Sequence, residues 1–187
     1  MKSLSIFILL GFVFLVSPAF SQDTPEGIEG ELKKEQYQLT EVVKLDSVPA
    51  TELLKRAVNW VKEENTRYIK SNGVTAGSRA EFVAVFKIKV KELNPHPDFT
   101  GTIVMHVSVE CKDNKYKYTI TKVKHISANG TASGGDVSNV VPDCGSMTMS
   151  DIVWKKIKGE ASKHANEVMY EIKAVMAKPA VDKKDDW

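Results

Sequence analysis

Residues 103–120 leave the chain little freedom in how it can pair. In IVMHVSVECKDNKYKYTI, Ile103, Met105, Val107, Val109 and Cys111 alternate with polar residues, and Tyr116, Tyr118 and Ile120 do the same after Asp113-Asn114. This period of two marks half-buried strands. A two-residue turn at Asp113-Asn114 sets Cys111 opposite Tyr116, Val109 opposite Tyr118 and Val107 opposite Ile120. Every pair then joins apolar or aromatic residues on one face, so turn length and alternation agree. An antiparallel sheet with one covered face is the result. Beyond Ile120 the pattern shifts, because Lys122 would face the core and Val123 would not. A bulge near Thr121, or a departure from the sheet, would repair it.

Other segments supply the remaining strands. In EFVAVFKIKVK, Phe82, Ala84, Phe86, Ile88 and Val90 point to the core, whereas Glu81, Lys87, Lys89 and Lys91 point outward. A strand opens near Gln36 with Tyr37, Leu39, Val43 and Leu45 on one side, and Glu41 interrupts the alternation. Arg67 to Ser71 read as a short strand, Asn72-Gly73 as a hairpin turn, and Gly77 as a bend before the long strand. The prolines of Asn94-Pro95-His96-Pro97-Asp98 end that strand in a loop.

Two segments carry the helical period. In ATELLKRAVNWVKEEN, Thr51 is the expected N-cap and Leu54, Ala57, Val58 and Val61 the buried stripe, with Leu53 and Trp60 on its flanks. Trp60 resembles a ligand-stacking residue but suits packing better. A long helix over residues 148–178 has Thr148 and Asp151 as a capping box and Met147 with Ile152 as a hydrophobic staple. Its stripe is Trp154, Ile157, Ala161, Ala165, Val168, Ile172 and Val175. The order strand, helix, four antiparallel strands, long helix predicts a two-layer α+β sandwich with both helices on one sheet face.

The run YQLTEVVKLDSVPATELLKRAVNWVKEEN, together with strands ending in VECKDNKYKYTI, resembles the DUF4468 family of exported bacterial proteins. The hairpin KDNKYKY is similar to that family's Lys-Asp-Gly-Arg-Tyr-Arg-Tyr run, with Asn114 in place of the turn glycine. The family's Gly-x-Gly before the third strand is reduced here to Gly77 within VTAGSRAEF. The resemblance spans about residues 36–126 and implies a TBP-like fold. It implies no activity and no catalytic residues, and a shared strand arrangement does not imply DNA binding.

The first residues predict export. Lys2, the apolar run from Ile6 to Val16, and Ala19 and Ser21 before a cut make a signal peptide over residues 1–21, with cleavage before Gln22. The apolar run falls short of the roughly 20 residues needed to span a membrane. Localisation is therefore expected to be periplasmic or secreted. Residues 22–35 read as a flexible lead-in, 127–147 as a flexible Gly/Ser-rich loop and 179–187 as a tail. In an oxidising compartment Cys111 and Cys144 could form a disulfide closing a loop of about 33 residues, or remain two separate thiols.

Chemistry is sparse in this sequence. His96, His106, His125 and His164 stand at no metal-ligand spacing, and on the pairing above His106 faces Thr121 while His125 faces Thr102. There is no G-x-S-x-G elbow and no phosphate loop. No catalytic, metal or cofactor residues are predicted. With a net charge of +2 over 187 residues and no aromatics among its outward lysines, the chain is not expected to bind nucleic acid. The expected role is a non-catalytic binding or scaffolding domain of the bacterial periplasm or envelope. The alternative is an enzyme of unrecognised type, such as a hydrolase of envelope polymers. The predicted binding face is the outward sheet surface with Val83, Val85, Lys87, Lys89 and Val104. The expected partner is a protein, including another copy of the chain, or a small apolar ligand.

Overall fold

The computed structural model describes residues 37–90 and 99–178. The predicted leader, lead-in, His96 loop, Lys91 and tail lie outside them. In chain order the elements are β1 (Leu39–Lys44), α1 (Ala50–Lys62), β2 (Ile69–Ala76), β3 (Arg79–Ile88), β4 (Gly101–Lys112), β5 (Lys115–Ser127), β6 (Gly135–Asp136) and α2 (Asp151–Ala177). The strands form one antiparallel sheet in the order β1-β5-β4-β3-β2, with the short β6 also beside β5. Both helices cover one face of that sheet, and the buried residues of both layers form a single core. This is the expected two-layer α+β sandwich.

The central register is the one the alternation requires. Cys111 pairs with Tyr116, Val109 with Tyr118, and Val107 with Ile120. The required irregularity falls at Lys122, a left-handed residue with φ 52°, and the β4–β5 register shifts there. The bulge returns Val123 and His125 to the core side. It also moves His125 opposite Ile103 rather than Thr102, while His106 does face Thr121.

Three local expectations need correction. Asn72-Gly73 is not a hairpin turn but a bulge inside β2, with Asn72 at φ 53°. The reversal comes later, at Gly77-Ser78, where Gly77 takes φ 56° between the paired Ala76 and Arg79. Pairing with β3 continues on both sides of Asn72-Gly73, and that tertiary constraint overrides the local turn signal. Helix α1 is capped by Pro49 rather than Thr51, and its first N–H groups find other acceptors. The Ala50 amide donates to Asp113 Oδ1 at 2.8 Å, so the β4–β5 turn caps the helix. Its buried residues are Leu53, Ala57 and Trp60, with Leu54, Val58 and Val61 at the margin. Trp60 is core, edge-on to Phe82 with ring centroids 5.0 Å apart.

Helix α2 begins two residues later than its capping-box reading. Ser150 is the N-cap and accepts from the Val153 amide. The flanking apolar pair inside the protein is thus Met149 and Trp154, both buried, whereas Met147 and Ile152 are exposed. The stripe otherwise holds, with Met176 taking the fully buried place expected of Val175. Glu41, which broke the β1 alternation, does lie on the helix side. There its Oε2 accepts from the Tyr118 hydroxyl at 2.5 Å and from Lys173 of α2 at 2.7 Å. Those two donors, Lys173 first, hold its carboxyl below the usual range.

Residues 127–147 are held by specific bonds. The Trp154 indole N–H donates to the Asn139 carbonyl at 3.0 Å, and Gly134 lies against the indole ring. The Asp143 amide bonds the Gly134 carbonyl, and Asn139 Nδ2 donates to Asp143 Oδ1. This path carries Cys144 to the Val123–His125 end of β5, while Cys111 sits opposite Tyr116, about nine residues or roughly 30 Å up the strand. The two thiols are accordingly unbonded, Cys111 in the core and Cys144 half-buried. Burial pushes the Cys111 thiol up to about 11. Titration of denatured, unreduced protein should find two free thiols, and finding none would contradict this geometry.

His125 is wholly buried, and its Nδ1 accepts from the Gly134 amide at 3.0 Å. The proton of the neutral ring is then on Nε2. Burial holds its pKa below the ordinary histidine value. Below about pH 6.5 the unfolded chain therefore binds a proton that the folded chain refuses, and stability falls as pH falls. Denaturant unfolding should show a loss between pH 7 and pH 5.5. The His125→Asn variant, which keeps an acceptor for Gly134 but cannot titrate, should show a flatter profile.

Candidate binding face

With both helices on one side, the other face of the sheet carries no covering layer among the described residues. Alternation decides what it presents. Outward positions in successive strands meet in rows set by the register. Ile69, Val85 and Val104 form one row, ending at Lys124. Ser71, Val83, His106 and Thr121 form the next, and Glu81, Ser108, Thr119 and Thr40 the one after. Arg79, Glu110, Lys117 and Val42 follow, and the last row is Lys112, Lys115 and Lys44.

Both bulges bend this face. Bulges raise local twist and bend their strand, and Asn72 of β2 and Lys122 of β5 stand on opposite sides of the same hollow. The hollow is a trough of about 560 Å³ crossing the strands, floored by His106, Ser108, Thr119 and Thr121 and reaching Gln38 beside β1. Its volume is in the range of ligand sites. Its floor is polar: the Thr40 and Thr119 hydroxyls are 3.1 Å apart, and His106 is held below 6.5 by desolvation and then by Lys122.

The predicted face residues are brought together. Val83, Val85 and Val104 are half-buried neighbours on the outer surface, Lys87 is exposed opposite Thr102, and Lys89 is exposed just past β3. The exposed Ile69 and Ile126 extend the apolar patch at either side. Sequence reading missed both. The local signals end the Ile69 strand at a turn, and the face of Ile126 depends on where the β5 bulge falls. Ion pairs are concentrated at one end, where Arg79 meets Glu81 at 3.0 Å and Lys117 meets Glu110 at 3.2 Å. Lys117 is the main reason that the Glu110 carboxyl lies below its usual range.

Among the described residues no group of His, Cys, Asp or Glu could hold a metal ion, and no helix is long and apolar enough to cross a membrane. His106 and His125 lie on opposite sheet faces, and His164 is on α2, stacked on Phe86 and paired with Glu167 at 3.0 Å.

An antiparallel sheet with two helices on one face and a bare curved surface on the other is a TBP-like α+β domain. Residues 39–125 match the family model of DUF4468, a domain of unknown function with TBP-like fold, the family that the hairpin and first helix resemble. Two solved structures share the arrangement. A TBP-like protein from Parabacteroides distasonis is 13% identical with a TM-score of 0.53, the match covering 75% of this chain and 92% of that one. A DUF4468 family protein from Bacteroides ovatus is 8% identical with a TM-score of 0.54, covering 78% and 89%. At those identities the likeness is one of fold. Among curated proteins nothing matches.

Proposed function

We propose that the chain is an exported, non-catalytic binding or scaffolding domain whose bare sheet face receives a protein partner. The observation that carries this reading is the face itself: an apolar row, Ile69–Val85–Val104, left in solvent beside a 560 Å³ trough. A sheet normally buries apolar residues under another layer, and contiguous apolar surface rimmed by polar residues marks interaction sites. The polar trough floor suits a polypeptide, with donors and acceptors along its length, better than a small apolar ligand.

Affinity capture from native envelope extract tests the reading. The bait is mature protein beginning at Gln22, beside a variant with Lys87→Glu and Lys89→Glu and a control with Lys55→Glu and Lys163→Glu on the helix layer. A partner retained by the wild type and the control but lost from the face variant is expected. Equal loss in both variants, or no partner together with turnover in a hydrolase screen, would overturn the proposal.

A further inference from the structure

Charge on the bare face is lopsided. Lys44, Lys112 and Lys115 stand directly opposite one another in a single cross-strand row. Like charges in that position destabilise a sheet, and Lys44 and Lys115 make no ion pair among the described residues. At the other end Lys87, Lys122 and Lys124 are exposed around the apolar row, again without an ion pair among the described residues. The outward acids are Glu81, Glu110 and Asp136, and the first two already face Arg79, Lys112 and Lys117. A chain with a net charge of only +2 thus gathers unpaired cations on the one face its helices leave open.

Building on the binding role proposed above, we infer that this face recognises an acidic, apolar-bearing segment of a protein partner, laid in extended form along the strands from the lysine row to the apolar row. The lysine row would receive carboxylates at one end, the row Ile69–Val85–Val104 would receive apolar side chains, and the hydroxyl floor would meet the segment's backbone. From the Val104 row to the Lys112 row is about eight residues along β4, roughly 27 Å, which about eight extended residues span. The geometry disfavours the other occupants of a basic surface. A bilayer is flat and cannot reach the floor of a trough. A second copy in face-to-face contact would set lysines against lysines. Nucleic acid lacks a stacking platform, because Tyr116 and Tyr118 are buried on the helix side.

The test is fluorescence anisotropy with a labelled synthetic peptide in which a run of glutamates is followed by a run of valines, titrated with mature protein at about 50 mM salt, where screening is weak. The comparison probes are the same peptide with lysine for glutamate, a single-stranded oligonucleotide and phosphatidylglycerol vesicles. The glutamate peptide should bind at least about tenfold tighter than the lysine peptide and more tightly than the oligonucleotide or the vesicles. Lys115→Glu, at the middle of the row, should weaken it about tenfold while raising the unfolding midpoint, since Lys44 and Lys112 then each face an opposite charge. Val85→Ser should weaken it several-fold, as bare ion attraction would not predict. Preference for the oligonucleotide or the vesicles, equal binding of the lysine peptide, or indifference to the lysine row would overturn the inference. A partner captured through Lys87 and Lys89 alongside a glutamate peptide that does not bind would leave the binding role standing and remove its acidic partner. Failure of both experiments removes both.

Discussion

Replacement of Trp154 by alanine should cost about 3–5 kcal/mol, the range for large aromatic truncations in a packed core. Trp154 is 2% exposed and performs two tasks at once. Its ring fills the space over Gly134, where an added Cβ would come within 2.3 Å of Cζ3. Its N–H holds the buried Asn139 carbonyl, which Lys158 also reaches at 2.5 Å. Loss of the ring therefore loosens the 127–147 connection as well as the start of α2. The Trp154→Phe variant separates the two tasks. It keeps most of the apolar volume, and because Lys158 still reaches Asn139, its cost should be nearer about 1 kcal/mol, the worth of one hydrogen bond. Denaturant unfolding of both variants checks this, and an alanine variant within about 1 kcal/mol of wild type would contradict the packing described.

The second large effect is expected at Ile120, where alanine should cost about 2–5 kcal/mol. Ile120 is completely buried, paired with Val107 on one side and Leu39 on the other. Its neighbour Thr121 faces the open trough. Truncation of Thr121 to alanine should move stability by no more than about 0.5 kcal/mol. The contrast between adjacent residues tests the register itself, because a one-residue slip exchanges their faces. A costly Thr121 variant beside a harmless Ile120 variant would refute the pairing.

The residues around Ile120 also show why some of this protein can be read from its sequence and some cannot. The β4–β5 pairing was legible because two local constraints, alternation and turn length, had a single common solution. The bulge near Thr121 was legible for the same reason, as a conflict between Ile120 and Val123 that one extra residue resolves. Asn72-Gly73 misled because its turn preference is local, whereas the edge strand β2 follows β3 on both sides of the bulge. The caps misled in a similar way. Thr51 and Thr148 are good N-cap residues, but the helix starts are set by the Asp113 acceptor and by burial of Met149. At the candidate face the sequence supplied Val83, Val85, Lys87, Lys89 and Val104, all from single-strand alternation. It could not supply the trough, which depends on two bulges lying across a sheet from one another. Nor could it supply the row Lys44–Lys115–Lys112, which exists only once three strands are aligned.

Site-specific photo-cross-linking in the native host tests the central claim most directly. A benzophenone-bearing residue is placed at Val85 on the bare sheet face or, in a separate strain, at Tyr170, which is 67% exposed on α2. Both positions tolerate a large side chain at little expected cost to the core. The account predicts a discrete cross-linked protein adduct from position 85 that is absent from position 170. Cross-linking from position 170 with none from position 85 would contradict it.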